Sequence, residues 1–209
     1  GSIALLARAA WEQAHGREGV PGSLQTAAEL LGVLRSREGS VADRLRPWAL
    51  WRLGVVQNQL LENLAAASVF GELTERFPQH TLALPAARNA VQSLYGAVRE
   101  RTEAGSEISV QLRRRYVDAL RRLVGNANWA AQVDVAQWNF QLGEQLELLY
   151  EQADDRAASL DLLNEAVEAY QAVPGGLPES TQARSRALRA RFRLLAEDPR
   201  RPAGRYLVA

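Results

Sequence analysis

The chain has 209 residues, a formal net charge of +1 and no cysteine. The lack of cysteine excludes disulfides, thiol catalysis and thiolate metal sites, and the small net charge argues against a surface built as a whole to hold nucleic acid. All 25 basic residues are arginine, a bias typical of a GC-rich bacterial genome, and without lysine the chain cannot form a Gly-Lys phosphate-binding loop.

Hydrophobic residues make up 47% of the chain, enough for a large buried core. No uninterrupted apolar run approaches the roughly eighteen residues of a membrane-spanning helix, so no span is predicted. The chain begins with Gly1 and Ser2 and contains no methionine, which indicates a segment excised from a longer protein. On that interpretation a signal peptide or a lipid anchor would lie outside this sequence.

Two helices are predicted in the first part of the chain, over Ile3–His15 and over 23–37. Glycines and a proline between them mark the turn. The apolar residues recur at helical spacing in both segments, which predicts that each helix packs through one face. The residues predicted to pack are Leu6, Ala10 and Trp11 in the first helix and Ala27, Leu31 and Leu34 in the second.

Pro47 is predicted to separate two helices. Ser40 with Asp43 three residues later resembles a helix-start box, and a proline inside a helix removes a backbone donor and clashes with the preceding turn. A short turn followed by a new helix starting near Pro47 is therefore expected. A further helix is predicted to begin at Asn63, whose side chain would cap it, and to end at Phe77, before a proline.

The segment 47–80 has the residue spacing of a closely packed helix pair. A leucine, a Leu-Gly pair, a small residue, an aromatic residue and a closing proline follow one another as Leu50, Leu53, Gly54, Ala66, Phe70 and Pro78. This spacing resembles a tetratricopeptide repeat, although Gln57 and Leu73 stand where a tyrosine and an alanine are usual. Such a pair cannot bury its apolar faces alone, so the resemblance implies a stack of further helix pairs.

Five more helices are predicted after this segment. They run from near Leu82 or Pro85 to Arg101, over Glu107–Val124 with Ser106 as N-cap, over Asn128–Glu151, from Asp154 or Asp155 to Val173, and over Pro178–Asp198. The second helix of each pair is marked by Ala27, Ala66, Leu112 and Leu162. These markers are 39, 46 and 50 residues apart, longer than the repeat of about 34 in regular arrays.

These elements predict an all-α fold. We expect a right-handed α-solenoid of about four antiparallel helix pairs, forming a single domain over 1–209. The helix over Pro178–Asp198 would cap the open end of the stack, and 199–209 would form a C-terminal tail.

The sequence carries no enzymatic constellation. The two histidines, His15 and His80, are far apart and lie beside turns, so each is interpreted as a lone surface histidine. Paired acids such as Asp154 and Asp155 are better explained as helix-start residues. We therefore predict a non-catalytic protein with no metal and no cofactor.

Five tryptophans are present, and core packing is the common use of such residues at helical spacing. Trp51 is the predicted exception. The tetratricopeptide resemblance implies that the first helix of each pair lines a concave groove, which suits a peptide or a partner helix because amides bond its backbone and an aromatic supplies buried area. The predicted groove residues are Trp51, Val55, Asn58, Gln59, Asn89 and Gln92.

A basic patch is a second candidate site. Leu188, Phe192 and Leu195 are predicted to form the buried stripe of the last helix, which would turn Arg186, Arg189 and Arg193 toward water or a partner. In the competing interpretation these three arginines only solvate the surface, while Arg184 and Arg191, beside the buried side, pair with the acidic segment 144–179. Arg113, Arg114, Arg115, Arg121 and Arg122 form a second basic cluster with the same alternatives.

The function predicted is that of a scaffold or adaptor that binds a protein or peptide partner in the groove. The alternatives are a structural segment of a larger helical array and binding of an acidic or nucleic-acid partner through the arginine-rich helices, with nucleic acid the less favoured. The stretch ERFPQHTLALPAARNAV (75–91) is similar to a joint found in bacterial envelope proteins of the tetratricopeptide superfamily, which favours the envelope or periplasm. Oligomeric state and partner identity remain open.

Overall fold

A computed structural model describes residues 1–129 and 134–197. All regular secondary structure in the described part is helical, which confirms the predicted all-α class. A short 3-10 helix, Ala157–Ser159, precedes α8. The α-helices, in chain order, are α1 Ser2–Arg17, α2 Ser23–Ser36, α3 Ser40–Gln59, α4 Asn63–Arg76, α5 Ala83–Glu103, α6 Val110–Gly125, α7 Val135–Glu151, α8 Leu160–Gln171 and α9 Pro178–Glu197.

The helices form two compact units, 1–107 and 108–209. In the first unit each helix packs on the next one along the chain, and α1 also contacts α3. In the second unit α6 packs on α7, α7 on α8 and α8 on α9, and α7 also contacts α9. The expectation of a single domain over 1–209 stays a prediction, and its tail, 199–209, lies outside the described residues.

The core of the first unit contains the predicted packing residues of α2 and α4. Ala27, Leu31 and Leu34 are fully buried, as are Ala66, Phe70 and Leu73. Gly54 allows α3 to approach α4 closely, because a Cβ atom at this position would lie only 2.7 Å from the Phe70 ring. The close packing of this helix pair, predicted from the spacing of its residues, is therefore present between α3 and α4.

The second unit contains a similar contact between α7 and α8. A Cβ atom at Gly143 would lie 2.5 Å from the ring of Tyr170, which is buried. Glycine and an aromatic ring thus let two helices approach in each unit. A buried core cluster of the second unit contains Tyr150, Leu163, Val167 and Ala190.

Pro47 does not start a helix, so that prediction is wrong. Helix α3 continues through it from Ser40 to Gln59. An internal proline costs a helix about 3 kcal/mol. Pro47 is itself buried, together with Ala42, Ala49 and Leu50. Packing on both sides of the proline therefore outweighs the local cost.

Two predicted helix starts also differ from the structure. Helix α6 begins at Val110 and not at Glu107, and Ser109 is its N-cap rather than Ser106. Helix α7 begins at Val135 after the N-cap Asp134, while residues 130–133 of the predicted helix lie outside the described part. Local sequence offered several capping residues in each loop, and tertiary packing selects among them.

Two predicted capping residues have different outcomes. Asn63 is the first residue of α4 and not its N-cap; Glu62 takes that position and makes no side-chain capping hydrogen bond. Asp155 does cap, since its carboxylate accepts a bond from the Ala158 N–H at 3.0 Å, although the element it caps is the 3-10 turn before α8.

Candidate binding groove

A groove of about 600 Å³ lies between α1 and α3 in the first unit. Each helix contributes four residues at positions i, i+3, i+4 and i+7, which places them on one face. The lining residues are Ala10, Gln13, Ala14 and Arg17 from α1, and Trp48, Trp51, Arg52 and Val55 from α3. We call this the α1–α3 groove.

The groove exists because small side chains on α1 face large ones on α3. Ala10 and Ala14 occupy little space opposite the indoles of Trp48 and Trp51, so the two helices contact each other without filling the volume between these faces. The result is a concave surface with an aromatic wall.

Contacts behind the aromatic wall hold both indoles. Trp48 makes an edge contact with His80, with ring centroids 5.6 Å apart, and Trp51 packs on Phe70 at 5.4 Å. Trp51 is half-buried, while 46% of Trp48 remains exposed. The two rings are thus supported by the protein on one side and open to a ligand on the other.

The groove carries two positive charges and no negative one. Its charged lining residues are Arg17 and Arg52, and within the described part of the chain neither makes an ion pair with a carboxylate. The Arg52 Nη1 donates to Oε1 of the buried Gln13 at 3.0 Å, and Gln13 Nε2 donates in turn to Gln59 Oε1 at 3.2 Å. This chain of amides fixes the Arg52 guanidinium without neutralising it.

Two of the six predicted groove residues line the α1–α3 groove, and a third supports it from behind. Trp51 and Val55 line it directly. Gln59 lies behind it and supports Arg52 through Gln13.

The other three predicted residues lie elsewhere in the first unit and do not line the α1–α3 groove. Asn58 Oδ1 accepts a bond from Ser93 Oγ of α5 at 2.9 Å, which ties α3 to α5. Asn89 Nδ2 donates to the Pro85 carbonyl on its own helix at 2.9 Å, and Gln92 is exposed on α5.

Sequence reasoning missed the α1 side of the groove and half of the α3 side. The predicted packing face of α1 included Trp11, but 53% of Trp11 is exposed and the buried residues are Ala9, Glu12 and Gln13. The signal that could have found the site is the shared i, i+3, i+4, i+7 pattern: it groups Trp48 and Arg52 with Trp51 on one face.

The predicted orientation of α9 is wrong. Its buried face consists of small residues, Ala183, Ala187 and Ala190, whereas 55% of Leu188 and 70% of Phe192 are exposed. Alanines allow α9 to lie close to α7 and α8, and this close packing outweighs burial of the larger side chains.

Two of the three arginines of the predicted basic patch are ion-paired to α7. Arg186 contacts Glu144 at 2.9 Å and Glu147 at 3.1 Å, and Arg193 contacts Glu151 at 3.0 Å. Arg189 alone of the three is exposed. The arginines that pair with the acidic segment are therefore Arg186 and Arg193, and not Arg184 and Arg191, which are exposed.

The ion pairs of α9 adjoin a buried hydrogen bond. The Tyr170 hydroxyl donates to Glu147 Oε2 at 2.6 Å, and burial together with this bond raises the pKa of Tyr170. Burial also raises the pKa of Glu144, although Arg186 opposes the effect. Ion pairs from α9 and a hydrogen bond from α8 therefore meet at the glutamates of α7 and hold the three helices together.

The second arginine cluster, on α6, is also used internally. Arg113 is buried and donates to Gln152 at 2.8 Å and to Gln145 at 2.7 Å, and its burial lowers its pKa. Arg121 binds Glu165 through two hydrogen bonds, which raise its pKa. These two side chains join α6 to α7 and α8.

Both histidines make local contacts. His15 lies against the Trp11 ring at 3.8 Å, and His80 Nδ1 accepts a bond from the Leu82 N–H at 3.1 Å. Across residues 1–129 and 134–197, no three acidic or histidine side chains come together as a metal site requires.

Among the described helices, none has the length and hydropathy needed to cross a membrane. Comparison with known proteins finds no match to a family model, to a curated protein sequence or to a solved structure. The resemblance to tetratricopeptide repeats depends on the residues of the chain itself.

Proposed function

We propose that this chain is a non-catalytic protein-interaction module whose α1–α3 groove binds an extended or helical segment of a partner protein. The helix pairs would stack as a right-handed α-solenoid of the tetratricopeptide type, with the first helix of each pair on the concave side. In support, α1 pairs with α2 and α3 with α4, and the two first helices contact each other across the groove.

The observation that carries the proposal is the open aromatic wall beside two unpaired arginines. Covering the exposed half of Trp48 would remove roughly 100 Å² of apolar surface from water, worth about 2.5 kcal/mol. A bound apolar side chain between Trp48 and Trp51 would use this surface.

The charges of the groove specify the ligand further. Arg17 and Arg52 would each gain a hydrogen-bonded carboxylate, and Arg52 is already held in place by Gln13. Preorganisation of this kind reduces the entropy lost on binding. The preferred segment therefore combines acidic residues with an aromatic or aliphatic one.

Selection of peptides from a random phage-displayed library on the immobilised full chain tests the proposal. We expect the selected peptides to be rich in acidic and apolar residues. Trp48→Ser should weaken their binding by about tenfold or more, as for a central aromatic contact, and Arg52→Gln should weaken it and flatten its salt dependence.

Trp11→Ser is the matched control, because Trp11 is an exposed tryptophan of the same unit that does not line the groove. Circular dichroism of each variant verifies that the helices are intact. Peptides that bind the Trp48→Ser and Arg52→Gln variants as tightly as the unchanged chain, or a selection that yields no binder, would contradict the proposal.

A further inference from the structure

The outer face of α9 carries an exposed apolar stripe. Leu188 and Phe192 are one helical turn apart and mostly exposed, and the half-buried Leu195 continues the same face. We call these three residues the α9 stripe. An apolar ridge at i, i+4 and i+7 is the surface that one helix offers to another.

Arginines flank the α9 stripe on both edges. Arg184 and Arg191 lie on one edge and Arg189 on the other, and all three are exposed. No described residue forms an ion pair with any of them. The outer face of α9 thus combines an apolar ridge with three positive charges and no acid among its neighbours on the helix.

The inner side of α9 shows what kind of surface complements this helix. There Arg186 and Arg193 meet glutamates of α7, while small residues of α9 pack on α7 and α8. A helix with acidic flanks and an apolar face is therefore the surface against which α9 already packs within its own unit. The outer face lacks such a helix in the described residues.

We propose that the outer face of α9 docks an acidic amphipathic helix of a partner protein. Its apolar residues would cover Leu188 and Phe192, and its carboxylates would pair with Arg184, Arg189 and Arg191. This surface shares no residue with the α1–α3 groove, so the inference stands or fails independently of the proposed function.

A second copy of this chain is a poorer occupant. Two α9 stripes facing each other would bring arginines against arginines. Helix α8 is acidic, but its apolar residues Leu163, Val167 and Tyr170 are already buried. Helix α1 contains one acid, Glu12, and it is paired with Arg8.

A bilayer is also a poorer occupant than a helix. Ion pairs from Arg186 and Arg193 hold the opposite side of α9 to α7, so α9 is anchored within its unit and presents only one narrow ridge. A membrane-surface helix instead inserts a broad apolar face, typically with tryptophan or several large residues. The α9 stripe contains two large exposed side chains.

The test uses the full chain and two labelled helical peptides. Both carry leucines along one face; in the first, glutamates flank the leucines, and in the second, lysines replace every glutamate. Fluorescence anisotropy should show the glutamate peptide binding at least about tenfold more tightly than the lysine peptide. The double substitution Arg184→Glu and Arg191→Glu should reverse this preference.

Phe192→Ser should abolish binding of the glutamate peptide, while Ile3→Ser, at an exposed apolar residue of α1, should leave it unchanged. Equal binding of the two peptides, or binding that Phe192→Ser does not alter, would overturn the proposal. So would a dimer in sedimentation that Phe192→Ser dissociates, or association with phosphatidylglycerol vesicles in the absence of peptide binding.

Discussion

Single residues determine how closely the helices approach. Gly54 and Gly143 lie against Phe70 and Tyr170, where a methyl group would overlap the ring. A ring enclosed on all sides cannot retreat without disturbing its neighbours, so the space left by each glycine is part of the core.

Gly54→Ala should destabilise the protein by about 1–3 kcal/mol, because the added methyl group overpacks the contact with Phe70. Gly32→Ala is the matched control in α2. No atom lies within 4 Å of a Cβ atom there, so the variant should gain up to about 1 kcal/mol from helix propensity. Urea denaturation measures the free energy of unfolding of both variants. Equal effects of the two substitutions would show that close approach of the helices is not the role of Gly54.

The pKa of Glu144 provides a second test at this scale. Burial raises its folded-state pKa above the usual value, so the folded state binds a proton more tightly than the unfolded state. The contribution of Glu144 to stability is therefore fully present at low pH and is lost as pH rises through the folded pKa.

Glu144→Gln imitates the protonated side chain and removes this titration. The free energy of unfolding of the unchanged chain, minus that of the variant, should be larger at pH 4 than at pH 7. Urea titrations at both pH values give this difference. A difference that grows with pH would mean that the ion pair with Arg186, rather than burial, controls the ionisation of Glu144.

At the scale of helices, the limits of each element depend on which capping residue the tertiary structure selects. Ser106 and Ser109 both precede α6, but only the Ser109 hydroxyl accepts a bond from the N–H of Leu112, at 3.2 Å. The local sequence does not distinguish them.

Ser109→Ala should cost about 1 kcal/mol of stability, the usual contribution of an N-cap. Ser106→Ala should have little effect, since Ser106 lies before the cap. Thermal unfolding of the two variants measures this difference in stability. A larger loss for Ser106→Ala would show that the helix starts where the sequence alone predicted.

The sequence was sufficient to predict that the chain is helical and which faces of α2 and α4 are buried, because the apolar residues of these helices follow one helical period. The spacing of Gly54 and Phe70 also predicted the close contact of α3 with α4. Sequence reasoning failed for α9, since small alanines rather than Leu188 and Phe192 face the core. It also failed at Pro47, where burial outweighs the local cost of proline. Both failures are cases in which tertiary packing overrides a local pattern.

At the scale of the whole molecule, two of the six predicted groove residues, Trp51 and Val55, line the α1–α3 groove. Sequence reasoning selected these two residues because they lie on the side of α3 that faces away from Leu50, Leu53 and Gly54. The α1 side was missed, because its small residues carry no aromatic or charged signal until α3 is placed beside them. To predict a groove between two helices that are not consecutive in the chain, one must know which helices contact each other.

The central claim is that the α1–α3 groove is the surface that receives a partner segment. The five tryptophans give five indole N–H signals in a ¹H–¹⁵N correlation spectrum, so a titration with a selected peptide reports on the groove and on tryptophans that do not line it. We expect the signals of Trp48 and Trp51 to shift while those of Trp11 and Trp138 do not. Binding that moves Trp11 or Trp138 and leaves Trp48 and Trp51 unchanged would contradict the claim.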